Sequence, residues 1–291
     1  MKINQITPLE REYTKGLDEI ALKPKMLYYN GEWPEERVLS VGIVGARKCT
    51  KYGEQITYEL AKALGENGVI VVSGLAFGID SIAARGALDG GGKTIAVLGT
   101  EIERIYPRTH IRLAEEIVEK GGVVMSEYKL GDKIHMKTSF LARNRLISGL
   151  SDVVVIVEAA EKSGSLNTAS HAIEQGKELF AVPGDITRVM SQGCNRLIFK
   201  GANPYLGVQD FLNYVLPRKR KSKKEREKQI SLFADTEEER LVLKAIAEGM
   251  CDGDEIMEKV ELSVPAFNQA VTMLEIKGAI YSLGMNCWAL A

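Results

Sequence analysis

The sequence predicts an α/β fold with an extended, mostly parallel, doubly wound sheet, followed by a small winged-helix-like domain. Two observations predict the sheet: short apolar runs alternate with helical patterns from about residue 38, and glycine-rich turns follow several of these runs. Three short helical patterns and a hairpin pattern after residue 235 predict the second domain. We divide the 291-residue chain into an N-terminal extension (1–37), a sheet domain (38–216), a basic linker (217–234) and an acidic domain (235–291).

Six apolar runs predict the buried strands of the sheet. They cover residues 39–44, 69–72, 94–98, 123–125, 153–157 and 179–182. Continuous apolar runs are typical of parallel strands, because helices cover both faces of the sheet. Before them, residues 27–29 predict a short edge strand. Ligands of such sheets bind outside the carboxyl ends of the strands, so the segments that follow the strands are the candidate site.

The acidic domain shows the pattern of three helices and a wing. Helices are predicted at Glu237–Ala247, 254–260 and Val264–Ile276, the last with Ser263 as its N-cap and Pro265 in its first turn. Residues 280–282 and 287–289 predict the two strands of the wing. Winged-helix domains commonly bind duplex DNA through the third helix.

Charge is distributed unevenly along the chain, although the net charge is only −1. Residues 217–234 carry eight Lys or Arg against two Glu, residues 235–291 are net −7, and residues 1–216 sum to zero. The basic run is typical of a solvated linker, with a non-specific phosphate contact as the alternative. Because an acidic surface repels phosphate, we expect the C-terminal domain to be a protein-contact or regulatory module.

Composition excludes several other classes of protein. The sequence has no signal-peptide pattern and no run of about 18 apolar residues, so we expect no membrane span. The four cysteines lie far apart and lack paired histidines, which argues against zinc and against a disulfide framework. Such cysteine usage favours a reducing, cytoplasmic location.

Two segments have the pattern of phosphate-binding turns. In Val41-Gly-Ile-Val-Gly45-Ala-Arg47, a buried strand ends in a glycine turn and an arginine. Such a turn presents backbone N–H groups and a cation to a phosphate, although a surface salt bridge is the alternative role for Arg47. In Lys162-Ser163-Gly164-Ser165, a cation precedes a helix that Ser165 can cap. Exposed N–H groups at that helix start form a second candidate anion site.

Two further segments add cations and an aromatic ring. Phe140-Leu-Ala-Arg143-Asn144-Arg145 combines a ring with two guanidinium groups, the combination by which proteins hold unpaired bases without reading their sequence. The alternative is that Phe140 belongs to the core and that the two arginines point to opposite sides. Gly193-Cys-Asn195-Arg196 adds positive charge after the last strand, with a solvated arginine as the alternative.

Catalytic and cofactor signatures are not found in the sequence. Gly42-x-x-Gly45 is not the dinucleotide fingerprint, and Ser73 stands where a ribose-binding acid is expected. The sequence has no Ser-His-Asp order and no metal-binding pair, and the three histidines are scattered. Glu158 and Asp80 could serve as bases, although Asp80 is more simply a hydrogen-bond acceptor in a turn. We expect a protein without catalytic residues, metal or cofactor.

Taken together, these residues resemble the DprA/Smf family of DNA-processing proteins over about residues 25–205. The resemblance is an ordered series of short motifs: Ile43-Val-Gly-Ala-Arg47, Ser73-Gly-Leu-Ala76, Gly78-Ile-Asp80, Ala96-Val-Leu-Gly99, Tyr106-Pro107, Ser126-Glu-Tyr128, Arg143-Asn-Arg145, Glu158-Ala, Ser163-Gly-Ser-Leu166, Ala181-Val-Pro-Gly184 and Gly193-Cys-Asn-Arg-Leu-Ile198. Phe77 stands where the family often has arginine, and only a short segment precedes the first strand where many members have a helical domain.

The resemblance implies a Rossmann-like protein that binds single-stranded DNA, forms a homodimer and loads the RecA recombinase during natural transformation. It implies that Arg47, Phe140, Lys162 and the Arg143–Arg145 segment face the strand, and that Ser163, Gly164 and Ser165 contact phosphate. With Gly45, Asn195 and Arg196, these complete the predicted DNA-binding residues.

Two other hypotheses remain open from the sequence. One is a phosphoribohydrolase of the lysine-decarboxylase-like group, which has a similar fold and the signature Pro-Gly-Gly-x-Gly-Thr-x-x-Glu. The segment from Glu158 to Thr168 lacks both the Pro-Gly-Gly and the late glutamate of that signature. The other is a nucleotide-sensing module that signals through the acidic domain, for which tight binding of a mononucleotide and no affinity for oligomers is the distinguishing property.

Overall fold

The computed structural model describes residues 3–216 and 233–290, which belong to two compact units divided between residues 217 and 218. Within these described residues, the first unit has a nine-stranded sheet with helices on both faces, and the second has a two-stranded sheet and the three helices given below. The predicted α/β fold class is therefore confirmed. The predicted basic linker lies outside the described residues, except for residues 233 and 234.

The large sheet has the strand order β1-β2-β6-β5-β4-β3-β7-β8-β9. Its strands are β1 (Asn4–Ile6), β2 (Leu27–Gly31), β3 (Ser40–Val44), β4 (Ile70–Ser73), β5 (Thr94–Glu101), β6 (Val123–Tyr128), β7 (Val153–Ile156), β8 (Glu178–Ala181) and β9 (Asn203–Pro204). Strands β3 to β9 pair in parallel, whereas β2 pairs antiparallel with β1 and β6. The six strands predicted from apolar runs are all present, within three residues at either end.

Helices pack on both faces of this sheet. They are α1 (Lys51–Glu66), α2 (Ile79–Asp89), α3 (Ile111–Glu119), α4 (Met136–Leu150), α5 (Ser165–Glu174), α6 (Val189–Phe199) and α7 (Val208–Val215). On one face, Leu60 of α1 and Ile79 of α2 share a core with Val155. On the other face, Ile147 of α4 shares a core with Ile156. The C-terminal half of α4 is thus anchored in the core, whereas its first turns lie near the carboxyl ends of the parallel strands.

The N-terminal extension differs from its prediction. Strand β2 is not an edge strand, because β1 pairs with its outer side. Two 3-10 helices, Pro8–Glu10 and Glu12–Asp18, follow β1 and bury Tyr13 and Leu17 in the core. Three-residue strands and 3-10 turns are too short to produce a periodic apolar pattern, so this part of the fold had no signal in the sequence.

A crevice forms where the direction of the strand order reverses. From β3, at the centre of the sheet, the chain proceeds outward through β4, β5 and β6, and then returns to place β7 on the other side of β3. The segments that leave the carboxyl ends of β3 and β7 therefore diverge. Open parallel sheets bind their ligands at such a switch point.

The second unit has the predicted winged-helix elements. They are α8 (Glu237–Ala247), α9 (Gly253–Val260), α10 (Val264–Ile276), β10 (Ile280–Gly284) and β11 (Cys287–Leu290), with β10 and β11 forming an antiparallel hairpin. Val242, Ile256, Phe267 and Leu274 form its core. In the described parts of the chain, no helix is long and apolar enough to cross a membrane.

Lys277, which follows α10, is held by acidic side chains of its own unit. Its ammonium group lies 2.6 Å from a carboxylate oxygen of Glu239 and 2.7 Å from one of Asp235, and it donates to the Phe233 carbonyl at 3.2 Å. Arg240 and Lys259 also form ion pairs within the unit. These contacts engage three of the four Lys and Arg side chains in residues 235–291, which leaves few cations for binding duplex DNA.

We expect the second unit to lose stability as pH falls through the range where Glu239 titrates. Burial raises the pKa of Glu239, but hydrogen bonds and the charge of Lys277 outweigh burial and leave that pKa below its ordinary value. A lowered carboxyl pKa stabilises the folded state above the ordinary pKa and ceases to do so at lower pH. Unfolding followed by Trp288 fluorescence in a Trp33→Phe background tests this. Lys277→Met should reduce the dependence on pH, whereas Lys244→Met, which removes an exposed lysine, should not.

Candidate nucleic-acid interface

A cleft of about 270 Å³ opens at the switch point of the sheet. Its walls are the segments after β3, β4 and β7 together with one side of α4. The lining residues are Val44, Gly45, Arg47, Ala76, Asp80, Phe140, Leu141, Arg143, Asn144, Ile147, Ser163, Gly164, Ser165 and Thr168. The fold thus brings together segments that are more than 100 residues apart in the sequence.

Eight of the predicted site residues line this cleft, and four do not. The eight are Gly45, Arg47, Phe140, Arg143, Asn144, Ser163, Gly164 and Ser165. Lys162 is exposed beside the Ser163–Ser165 turn, and Arg196 lies 3.4 Å from Glu161. Asn195 uses its side chain to hold both the N–H and the carbonyl of Gly184. Arg145 points into a different cavity.

The Arg47 side chain stacks on the ring of Phe140. Its guanidinium carbon lies 5.1 Å from the ring centroid, within the range of cation–π attraction. Arg47 is exposed and lies within 4 Å of no carboxylate oxygen among the described residues, so the surface salt bridge considered from the sequence does not form. Tyr106 packs against the same ring with the centroids 5.7 Å apart. Cation and aromatic surface therefore lie side by side at the rim.

The ring of Phe140 is half-buried and not part of the central core. It packs on Gly99, where an added Cβ would lie only 2.5 Å from its Cδ1 atom. A glycine at this position in β5 is therefore required for the ring to occupy its place. The ring is supported from below by the sheet and remains available at the cleft.

The start of α5 forms a small polar cradle on the opposite wall. The hydroxyls of Ser163 and Ser165 lie 2.6 Å apart, and the Ser165 N–H donates to the Ser163 hydroxyl at 3.3 Å. The Asn144 amide donates to the Gly164 carbonyl at 3.2 Å and ties α4 to this turn. The N-terminus of α5, with its partial positive charge, thus faces the cleft beside hydroxyl groups.

Arg143 forms part of the floor of the cleft, where its charge is buried. Its Nη1 group donates to the carbonyls of Gly74 and Val97, and only 5% of the residue is exposed. Burial lowers the pKa of Arg143 to about 10, and the nearby Asp80 carboxylate opposes that shift. Burial likewise raises the pKa of Asp80, with the charge of Arg143 opposing. Arg143 therefore ties the end of β4 to the middle of β5 at the floor of the cleft.

Gly45 and Gly74 permit the close approach of the segments that form the floor. A Cβ at Gly45 would lie 2.7 Å from Ile79 Cγ1, and a Cβ at Gly74 would lie 2.2 Å from Nη1 of Arg143. Side chains at either position would displace the first turn of α2 or the buried guanidinium. The absence of a side chain at Gly45 thus lets the turn after β3 pack directly against the start of α2.

Two aromatic residues near the cleft were not recognised from the sequence as part of the site. Tyr106 is 42% exposed and reaches Phe140 from the segment after β5, and Phe77 is 44% exposed beside His110. An aromatic residue in the segment between a strand and the next helix is the available signal for each. A single sequence does not distinguish such a ring from one that packs in the core.

Acid–base and metal chemistry have little support in the described residues. Glu158 is buried and accepts hydrogen bonds from the N–H and hydroxyl of Thr50, which caps α1, so this carboxylate orders a helix start outside the cleft. No group of three or more His, Cys, Asp or Glu in the described parts of the chain could hold a metal ion. Asp80 is the one carboxylate among the cleft-lining residues, and it is buried and interacts with the charge of Arg143.

Fold and cleft together define a Rossmann-like protein whose binding surface offers cations, helix-start N–H groups and a stackable ring. The family model described as DNA recombination-mediator protein A matches residues 4–216, and the model of the DprA winged helix domain matches residues 226–284. The chain belongs to this DprA family.

Relatives and solved structures agree with that assignment. The chain is 40% identical to the DNA processing protein DprA of Streptococcus pneumoniae over 211 residues, which are 72% of this chain and 74% of that protein. It is 44% identical to protein Smf of Escherichia coli over 179 residues, which are 62% of this chain and about half (48%) of that protein. The S. pneumoniae structure aligns with a TM-score of 0.68 at 39% identity, covering 75% of this chain and 76% of that one. The structure of DNA processing protein A from Helicobacter pylori, described for its single-stranded DNA binding mode, aligns with a TM-score of 0.65 at 36% identity. This alignment covers 74% of this chain and 96% of that one.

Proposed function

We propose that this protein binds single-stranded DNA in the cleft at the switch point, protects it and delivers it to a RecA-type recombinase, without catalysing a reaction. The observation that carries the proposal is the stack of Arg47 on the half-buried ring of Phe140, opposite the start of α5. This arrangement combines a cation and a ring on one wall with backbone N–H groups on the other.

The chemistry of the cleft fits an unpaired strand better than a mononucleotide. Every base has a π-face that can stack on Phe140, and this contact requires no particular base. The N-terminus of α5 and the exposed Arg47 and Lys162 provide separate places for successive phosphates. The affinity of such a site depends on the salt concentration and not on the base sequence of the strand. The homologous H. pylori protein, whose structure is described for single-stranded DNA binding, supports the same ligand class.

The phosphoribohydrolase hypothesis is not favoured by the position of Glu158. That carboxylate is turned away from the cleft and already accepts two hydrogen bonds from Thr50. A carboxylate that attacks or activates a ribosyl bond would have to reach the bound nucleotide. We therefore propose a binding protein and not an enzyme, acting in the cytoplasm.

Delivery to a recombinase needs surfaces for protein partners as well as for DNA. We propose that the acidic domain, residues 235–291, is the protein-contact module, because three of its four Lys and Arg side chains form ion pairs within the domain and its net charge is −7. The family description as a recombination mediator supports a recombinase as the recipient.

We further propose that two copies of the chain pair through the β9 edge of the large sheet. Leu206, beside β9, is 71% exposed, Tyr214 of α7 is 55% exposed, and the two line an apolar hollow together with Pro204. Exposed apolar side chains at a sheet edge are typical of a contact with a partner. Pairing would set two clefts in one particle and raise avidity for a long strand.

The proposal predicts preferential binding of single strands with a steep dependence on salt. Fluorescence anisotropy with labelled oligo-dT and a matching duplex, across a salt series, is the measurement. In wild type we expect log K to fall against log salt by about 0.7 per phosphate neutralised. In Arg47→Ala/Lys162→Ala, the affinity at low salt should fall about tenfold or more and the slope should decrease by about 1.4.

A control with the same loss of charge separates the cleft from general electrostatics. Lys62 and Lys93 are exposed, form no ion pair among the described residues, and lie away from the cleft on α1 and at the amino end of β5. Lys62→Ala/Lys93→Ala should bind like wild type. The proposal would be contradicted if both double variants lost the same affinity for single-stranded DNA. It would also be contradicted if wild type bound duplex and single strand with equal affinity.

A further inference from the structure

Arg145 opens onto a second cavity, on the other side of α4 from the cleft. This cavity, here called the Arg145 cavity, has a volume of about 850 Å³. It is lined by Ala21, Leu22, Lys23, Lys25, Met26, Tyr28, Glu127, Tyr128, Asp132, Lys133, Ala142 and Arg145. A smaller cavity of about 280 Å³, beyond Ala21 and Leu22, also reaches Arg145.

The guanidinium of Arg145 is buried without a complete set of partners. Its side chain is 9% exposed, its Nη2 group lies 2.6 Å from Glu127, and its Nη1 group is buried without a hydrogen-bond partner among the described residues. A buried donor of this kind costs free energy unless something accepts from it. The cavity therefore contains a preformed donor that a ligand can satisfy.

The other lining residues have the chemistry of a nucleotide-binding surface. Lys25 and Lys133 are exposed and form no ion pair in the described part of the chain, and the half-buried Tyr28 and Tyr128 line the same cavity. The acids of the cavity are already engaged, Glu127 by Arg145 and Asp132 by the Lys129 N–H. Unpaired cations such as Lys25 and Lys133, together with the rings of Tyr28 and Tyr128, are typical of a path for single-stranded nucleic acid.

The cavity and the cleft lie on opposite sides of one short stretch of α4. Phe140, Arg143 and Asn144 face the cleft, whereas Ala142 and Arg145, three residues apart on a common helix face, line the cavity. A helix with its side chains is about 10 Å across, so a short length of strand spans it. Leu141, 46% exposed, lines the cleft and directly precedes Ala142, which lines the cavity.

We propose that a single strand bound in the cleft continues across the first turns of α4 into the Arg145 cavity. There Lys25 and Lys133 would contact its phosphates, and a base carbonyl or phosphate oxygen would accept from Arg145. This inference rests on the proposed function, because it extends the path of the same strand. It assigns a nucleotide-binding role to the N-terminal extension, which supplies Lys25 and Tyr28.

The length of the strand provides the test. A (dT)6 oligomer can occupy the cleft alone, whereas (dT)20 can occupy both sites. In Lys25→Ala/Lys133→Ala, the salt slope for (dT)20 should decrease by about 1.4, which corresponds to two phosphates, and binding of (dT)6 should be unchanged. Lys62→Ala/Lys93→Ala is the control of equal charge, and thermal unfolding verifies that each variant folds. Tyr128→Leu should weaken (dT)20 binding without changing its salt slope.

Each remaining outcome overturns the inference in a recognisable way. An unchanged slope for (dT)20 would show that the strand does not reach the cavity, while the proposed function would still stand if wild type binds. An equal loss for (dT)6 and (dT)20 would show a general electrostatic effect. If wild type binds neither oligomer, the proposed function fails and this inference fails with it.

Discussion

Replacing Arg143 with methionine is expected to lower the free energy of unfolding by about 3–5 kcal/mol, although methionine is similar in length and suits a buried site. The loss has two sources. The carbonyls of Gly74, at the end of β4, and Val97, within β5, lose their shared donor, and the buried carboxylate of Asp80 loses the positive charge that opposes its desolvation. Chemical denaturation of the full chain, followed by circular dichroism, measures the loss.

The dependence on pH distinguishes these two sources. Burial already raises the pKa of Asp80, and removal of Arg143 should raise that pKa further. A group with a raised pKa favours the folded state most at low pH. The free energy of unfolding that Arg143→Met loses relative to wild type should therefore be smaller at pH 5 than at pH 8.

A second variant makes the role of Asp80 directly testable. Asp80→Asn/Arg143→Met should be more stable than Arg143→Met alone at neutral pH, because no charge remains buried. If Arg143→Met loses the same stability at both pH values and Asp80→Asn restores none of it, the whole loss of stability is due to the lost hydrogen bonds.

The sheet and the position of the site were predictable because they follow from simple patterns. The apolar runs that became β4 and β7 are continuous, so they indicated buried parallel strands. Carboxyl ends of parallel strands meet at one edge, so Gly45, Arg47 and the Ser163–Ser165 turn were expected to converge without any knowledge of side-chain positions. The structure places all of them around one cleft.

The arginines of α4 show what the sequence could not provide. Arg143 and Arg145 are two positions apart, which on a helix turns them in nearly opposite directions. Both are at least nine-tenths buried: Arg143 lies at the floor of the cleft, and Arg145 pairs with Glu127 at the wall of another cavity. A charged residue in a sequence indicates chemistry but not burial, which depends on the loops and the N-terminal extension packed around it.

Phe140→Leu is expected to weaken binding of single-stranded DNA by about 1–3 kcal/mol, which is about 5- to 150-fold in the dissociation constant. Leucine keeps an apolar side chain on Gly99 but removes the face on which a base can stack. The ring also positions the guanidinium of Arg47, 5.1 Å from its centroid. Anisotropy titrations with oligo-dT measure the loss, and Tyr58→Leu, which alters an exposed tyrosine of α1, should bind like wild type.

The coupling between the two residues decides whether they act as one unit. If the ring orders the cation, the two single variants Phe140→Leu and Arg47→Ala each disrupt the same unit. The sum of their losses in binding free energy should then exceed the loss of the double variant by about 0.5–1 kcal/mol. Strict additivity would mean that base stacking and phosphate contact are independent. Since Phe140 also packs on Gly99, the same variants must be compared for stability. If Phe140→Leu lowered the stability but not the affinity for single-stranded DNA, the ring would stabilise the sheet and would not stack on bases.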